Sequence, residues 1–142
     1  MTAEPLVIDT NTVLDLFVFE DPACTPLREA LGSGGFRWLA TAHMREELAR
    51  VLAYPHLVVR MTMRNLAAAD VLAAVDRHCI PVDAAERCAV RCRDTDDQPF
   101  IDLAIAHRAR LVSKDKLVLA TAKRVAMHGA SVLHPSVFGA AA

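Results

Sequence analysis

The sequence has no apolar run long enough to cross a bilayer, and no basic segment precedes a long apolar stretch near its start. We therefore expect a soluble cytoplasmic protein without membrane contact. No CxxC pair occurs among its four cysteines, which gives little support to a zinc site. Without an export signal, we expect reduced cysteines that serve in packing, namely Cys24, Cys79, Cys88 and Cys92.

The sequence also has little excess charge, since its formal net charge is −1. Nucleic acid is therefore not attracted to the protein as a whole, and any such binding must use a local patch. Repeats, low-complexity segments and linkers do not occur. Hydrophobic residues make up 54% of the chain, which exceeds the usual share. These features predict one domain over residues 1–142 with a single sizeable core.

Short apolar runs alternate with segments of helical spacing. Continuous β-branched runs are typical of strands buried on both faces of a parallel sheet. Strands are predicted over residues 6–8, 36–40, 80–82, 111–112 and 131–133. Helices are predicted over residues 13–19, 24–31, 42–53, 61–77, 84–92, 97–109 and 116–128. The alternation indicates an α/β fold of three α/β/α layers, with helices flanking a central, mostly parallel, twisted sheet.

Two acids follow predicted strands. Asp9 comes directly after the first strand, and Asp115 follows residues 111–112 by way of Ser113 and Lys114. Open α/β sheets bind ligands beyond the carboxyl ends of their strands. We therefore expect Asp9 and Asp115 at one edge of the sheet.

The helix that begins near residue 97 carries a third acid. Asp96 is a good N-cap, and Pro99 falls in the first turn, where a missing amide hydrogen costs little. Asp97 lies three residues before Phe100 and so on the buried side of the helix. Asp102 lies roughly opposite Phe100, at about 100° per residue, and is expected to be solvated. Asp97 is therefore the candidate functional acid of this helix.

A fourth acid lies on the helix that Thr41 is expected to cap. The apolar stripe of this helix includes Met44 and Val51. Glu47 borders the stripe, whereas the adjacent Glu46 points away from it. Glu47 is therefore the residue able to approach a site at the sheet edge.

Together the acids Asp9, Glu47, Asp97 and Asp115 indicate a bound cation. Carboxylates so close would repel each other by about 4 kcal/mol for a close pair at an effective dielectric of about 20. A divalent cation would remove this penalty. Because the donors are hard oxygens and the six histidines share no ligand spacing, the set favours Mg²⁺ or Mn²⁺ over zinc.

In this order and spacing, the motifs resemble those of the PIN-domain family. The matching segments are VIDTN at residues 7–11, Glu47-Leu48 with Val51-Leu52, RDTDD at 93–97 with Phe100 and Ala104, and VSKD at 112–115. The layout is most similar to the toxin components of toxin–antitoxin systems, the VapC-like ribonucleases, and this similarity extends to the tail VLHPSVF at 132–138. One difference is Lys114, which stands where a glycine is common before the last acid.

The resemblance implies a metal-dependent endoribonuclease that cleaves phosphodiester bonds of RNA. Asp9, Asp97 and Asp115 would hold one or two Mg²⁺ or Mn²⁺ ions, directly or through water. Glu47 would ligate an ion or orient a water. The resemblance also implies a small antitoxin partner that blocks the site, and a homodimer built on helices.

Substrate contacts are expected from polar residues beside these acids. The resemblance implies that Asn11 and Ser113 position Asp9, the metal waters or the scissile phosphate. All the lysines of the chain lie in one segment around Asp115 and form a candidate phosphate-contacting patch, namely Lys114, Lys116 and Lys123.

Each candidate also has a purely structural interpretation. Asp9 could serve only as a helix cap, and Asp97 only as a carboxylate at the positive end of a helix dipole. Glu47 could be an ordinary surface residue of an amphipathic helix. The lysines could form a solvated surface without a ligand.

Two other functions stay open at this point. The segment over residues 9–12 faintly resembles the start of haloacid-dehalogenase-like phosphatases, which would form an aspartyl-phosphate at Asp9. Asn11 argues against this function because it cannot ionise as the general acid–base. The other possibility is a catalytically silent PIN module that binds RNA or protein. Its binding would survive replacement of Asp97 or Asp115, and it would show no metal-dependent cleavage.

Overall fold

A five-stranded parallel sheet runs through the computed structural model, which describes residues 3–138. Residues 1–2 and 139–142, the two ends of the expected domain, lie outside the described residues. In chain order the strands are β1 (Glu4–Ile8), β2 (Phe36–Ala40), β3 (Cys79–Pro81), β4 (Arg110–Val112) and β5 (Ser131–Leu133). Their order in the sheet is β3-β2-β1-β4-β5, and every neighbouring pair is parallel. The predicted α/β fold is confirmed.

Eight α-helices connect the strands within residues 3–138. They are α1 (Thr10–Phe17), α2 (Thr25–Ser33), α3 (Ala42–Leu52), α4 (Pro55–Met63), α5 (Ala68–His78), α6 (Gln98–His107), α7 (Lys116–Leu119) and α8 (Ala122–Ala126). Single 3₁₀ turns occur at Pro22–Cys24 and Pro135–Val137. None of the helices in this part of the chain is both long enough and apolar enough to cross a membrane.

Side chains of the central strand alternate between two buried clusters. Leu6 and Ile8 of β1 are buried with residues of α1 to α5. Val7, between them, is buried with residues of α6, α7 and α8. This alternation follows from the two-residue period of a strand. Helices therefore cover both faces of the sheet, as the three-layer prediction requires.

Two predicted helices are divided in the structure. The segment over residues 61–77 is not one helix, because α4 ends at Met63 and α5 begins at Ala68. Between them Asn65 has a left-handed φ of 55°, which a right-handed helix cannot continue through. The segment over residues 116–128 forms two short helices, α7 and α8.

The predicted helix over residues 84–92 is wrong. Residues 82–97 form neither helix nor strand, and side chains of α6 bind their backbone instead. Gln98 accepts the backbone N–H of Cys92 at 2.7 Å, and its Nε2 donates to the carbonyl oxygen of Val90 at 2.8 Å. Cys88 and Cys92 are therefore not neighbours on a helix. All four cysteines have free thiols, as expected.

Asp102 holds the same segment, and the expectation that it is solvated is wrong. Its side chain is 7% exposed. Its Oδ1 accepts the backbone N–H of Cys88 at 3.1 Å and the Nε2 of Gln98 at 2.9 Å. The expectation failed because α6 is buried on more than one side, at residues 98 and 100–104.

We expect Asp102→Ala to lower the free energy of unfolding by about 1–3 kcal/mol, because it removes the acceptor of the partly buried Cys88 N–H and one of the two backbone or carboxylate acceptors of the buried Gln98 amide. Asp102→Asn keeps one side-chain oxygen and should lose less. Chemical denaturation measures both, with the exposed Asp83→Ala as the matched control. Equal stability of Asp102→Ala and Asp83→Ala would show that this network does not stabilise the fold.

Candidate active site

The carboxyl ends of β1 and β4 bring Asp9 and Ser113 together. The two strands are adjacent and parallel, with Ile8 opposite Val112 in the register. Asp9 is 3% exposed, and its Oδ1 accepts the backbone N–H of Thr12 at 3.0 Å, so it caps α1. Its Oδ2 accepts the Ser113 hydroxyl. Asp9 is thus a helix cap as well as an acid of this edge.

Three other aspartates form a compact group beside this pair. Asp94, Asp97 and Asp115 each offer one carboxylate oxygen, and these oxygens all lie within 4.8 Å of one another. All three side chains are partly buried. Asp97 immediately precedes α6, and Asp115 caps α7 by accepting the Leu117 N–H at 2.8 Å. Oxygens from three chain positions can therefore contact one small cation.

Ser113 links the two parts of the site. Its buried hydroxyl donates to Asp9 and accepts the backbone N–H of Asp115 at 3.0 Å. Asp9 and Asp115 are consequently held on either side of one hydroxyl. The structure therefore brings together the predicted Asp9, Asp97 and Asp115, with Asp9 flanking the compact group.

Burial and neighbouring charges raise the pKa values of two acids of the site. Burial raises the pKa of Asp9, while hydrogen bonds from Ser113 and Thr12 partly oppose that rise. Burial, followed by the charges of Asp9 and Asp94, raises the pKa of Asp97 from 3.8 to about 7. Without a cation, Asp97 is therefore partly protonated near neutral pH. A divalent ion would favour its ionised form.

Glu47 approaches the same edge from α3. It is partly buried, whereas Glu46 is exposed, which confirms their predicted orientations. The hydroxyl of Thr10 donates to Glu47 Oε1 at 3.3 Å. Because Thr10 directly follows Asp9, this bond places Glu47 beside the start of α1. Thr41 caps α3 as predicted, accepting the Met44 N–H at 3.2 Å.

The residues expected to contact the substrate differ in exposure and in their existing partners. Asn11 and Lys116 are exposed, near Asp9 and Asp115 in the chain. Lys114 is engaged elsewhere, since its Nζ lies 2.6 Å from Asp15 Oδ2 and 3.5 Å from an Asp21 oxygen. These contacts raise the pKa of Lys114, the Asp15 hydrogen bond most of all. The charge of Lys114 is therefore already balanced by carboxylates away from the compact group.

Asp94 is the member of the compact group that the sequence prediction missed. It lies three residues before Asp97, in the segment already taken as one motif. It accepts the Asp96 backbone N–H at 3.0 Å, which closes a turn and directs the chain towards α6. The signal is the pair of acids three residues apart before a helix start, of which the sequence prediction uses only Asp97.

Two cavities adjoin this edge. One, of about 350 Å³, is mainly apolar and extends from Thr10 to Trp38 and Val75. The other is a polar cleft of about 330 Å³ between α3 and the turn before α6. Glu47 lines the polar cleft, and Asp96, the neighbour of Asp97, lies on its other wall. The polar cleft therefore opens beside Glu47 and the turn before Asp97, whereas the apolar cavity is lined by Ile8 and Thr10, the neighbours of Asp9.

Comparison with known families gives a match over most of the chain. A family model described as PIN domain matches residues 5–117. This range begins in β1 and ends in α7, so it includes all the acids described above. The tail over residues 132–138 falls outside it. The comparison with curated proteins found no match.

Proposed function

The chain belongs to the PIN-domain family, whose members are generally nucleases, and from this premise we propose that it is a Mg²⁺- or Mn²⁺-dependent endoribonuclease. The observation that carries the proposal is the meeting of Asp94, Asp97 and Asp115 within 4.8 Å, beside Asp9. Acids gathered at the carboxyl edge of a parallel sheet lie where such folds bind ligands.

The donor set fits a hard divalent cation. Its ligand atoms are carboxylate oxygens, and burial together with the charges of Asp9 and Asp94 raises the pKa of Asp97, a cost that a bound cation would offset. Asp97, Asp115 and Asp94 would hold the ion, with Asp9 close by. When bound, such an ion supplies positive charge at the scissile phosphate and lowers the pKa of a coordinated water.

The remaining residues would orient the acids and the substrate. Ser113 fixes one oxygen of Asp9, and the Thr12 N–H fixes the other, so Asp9 is held in one orientation. Glu47, held by Thr10, is placed to orient a water at the rim of the site. Lys116 is exposed directly after Asp115 and is free to approach a phosphate from that side.

We also propose that the protein is the toxin of a toxin–antitoxin system, with a small antitoxin partner and a homodimeric assembly, acting on RNA in the cytoplasm. The order of the motifs and the similar tail support this role. An exposed apolar face supports a protein partner, since Val58, Val59 and Met63 of α4 are 44%, 58% and 76% exposed.

The nuclease proposal predicts cleavage of single-stranded RNA in Mn²⁺ or Mg²⁺ and none in chelator. Asp9→Asn should reduce the rate by about 100-fold, because the amide keeps the cap on α1 but removes a charge beside the cation. Labelled RNA resolved on a denaturing gel measures both effects. Glu46→Gln, which changes the exposed neighbour of Glu47, is the matched control and should cleave normally.

Undiminished cleavage by Asp9→Asn would indicate a contaminant or a different site. Wild-type protein that binds RNA but cleaves none with either metal would instead be a catalytically silent PIN module.

A further inference from the structure

One face of α3 continues from the acid site into the polar cleft. The cleft-lining residues of this helix recur every three or four positions, so they form one stripe. A turn before α6 and its first residues form the facing wall. The residues along the stripe are His43, Glu47, Arg50 and Val51, Tyr54 at the N-cap of α4 extends the same wall, and those opposite are Thr95, Asp96 and Pro99.

Beyond Glu47, this stripe carries a cation, and an aromatic ring follows just past the end of α3. Arg50 is exposed in the last turn of α3. None of the ion pairs within residues 3–138 includes Arg50. By contrast, Lys114 is held by Asp15. The ring of Tyr54 is 50% exposed and lies tilted against His56, with centroids 6.1 Å apart. Arg50 is therefore a cation available to an anion in the cleft.

The spacing along α3 relates these side chains to the acids. Arg50 follows Glu47 by three residues on α3, about 4.5 Å along the helix axis at 1.5 Å per residue, and Tyr54, just past the end of the helix at Leu52, lines the same cleft. A phosphate held near Glu47 could therefore continue into one nucleotide that reaches Tyr54. Polar groups on both walls, with His43 on α3 and Asp96 and Thr95 opposite, suit the donor and acceptor edges of a base better than an apolar ligand.

We propose that this cleft holds the nucleotide next to the scissile phosphate, with Arg50 on a phosphate and the base stacked on Tyr54. Arginine contacts to phosphates position a strand, and a base stacks on an aromatic ring without regard to sequence. The proposal rests on the proposed nuclease function, for which it identifies the substrate subsite. It places the strand along α3 rather than over Lys114.

Binding of a fluorescein-labelled single-stranded RNA, followed by anisotropy in an Asp9→Asn background with Mn²⁺, tests the subsite while turnover is slow. Tyr54→Ala should raise Kd about 10-fold, and Tyr54→Phe, which keeps the ring, should not. Arg50→Gln should raise Kd and reduce the slope of log Kd against log salt by about 1. Arg77→Gln, on an exposed position of α5, is the matched control.

Cleavage kinetics in the otherwise wild-type protein separate the subsite from the nuclease activity. Tyr54→Ala and Arg50→Gln should raise KM and leave kcat nearly unchanged. Normal thermal unfolding would show that both variants are folded. RNA binding with these dependences but no cleavage would overturn the nuclease proposal and keep the subsite. Folded variants that match Arg77→Gln in Kd and KM, or wild-type protein that binds no RNA, would overturn the subsite.

Discussion

Asp97→Asn is expected to reduce RNA cleavage by about 1000-fold and, in the same protein, to raise the stability of the metal-free form at pH 8. Activity falls because Asp97 lies among the acids that would hold the cation, with its ligand oxygen within 4.8 Å of those of Asp94 and Asp115. Stability rises because burial and neighbouring charges make the ionised Asp97 unfavourable. A neutral amide of the same shape removes that cost.

The stabilisation should be roughly 1–2 kcal/mol after allowance for solvent screening, and so a rise in Tm of several degrees. Thermal unfolding in chelator and a cleavage assay in saturating Mn²⁺ measure the two effects. Asp83→Asn, in the exposed part of the loop before α6, should change neither quantity. An Asp97→Asn protein that unfolds at a lower temperature than wild type would show that the acid stabilises the apo fold.

The second large effect concerns how the stability of the folded protein depends on pH and on a bound cation. The pKa of Asp97 is about 7 in the folded protein, and its ordinary value is 3.8. The folded state therefore binds more protons than the unfolded state between these values. The stabilisation contributed by protonated Asp97 is fully present below about pH 4 and is lost as the pH rises through about 7. We expect the Tm of the chelated wild type to fall from pH 5 to pH 8.

Mn²⁺ should reverse this loss at pH 8, since an ion that binds only the folded state stabilises it by about 2.7 kcal/mol at 100 times its Kd. The difference in Tm between wild type and Asp97→Asn isolates this residue from other titrating groups. That difference should shrink at pH 5 and grow at pH 8 in chelator. If the Tm values of wild type and Asp97→Asn changed with pH in parallel, with or without Mn²⁺, Asp97 would not be the source of the pH-dependent loss of stability.

The strands and their acids could be predicted because each depends on local pattern. The run of Leu6, Val7 and Ile8 predicts a strand buried on both faces, and parallel pairing then brings Asp9 to the edge that Asp115 also reaches. The family match over residues 5–117 agrees with this arrangement. Short apolar runs followed by acids are therefore sufficient to predict which edge of the sheet carries the acids.

The remaining features depend on contacts distant in sequence. A helix is predicted over residues 84–92, but Gln98 and Asp102 bind the backbone of this segment instead. The ion pair of Lys114 with Asp15 joins residues that no local pattern relates. Asp94 was overlooked because its motif was assigned a single ligand, although turn geometry brings Asp94 and Asp97 to the same point.

The central claim is that acids from separate parts of the chain share one divalent cation. The most direct measurement is the anomalous difference density of Mn²⁺ in a crystal of the wild-type protein. We predict a peak in contact with carboxylate oxygens of Asp97 and Asp115, beside Asp94 and Asp9. The account would be contradicted by a crystal in which Mn²⁺ binds only elsewhere and these acids either lie apart or have no density between them.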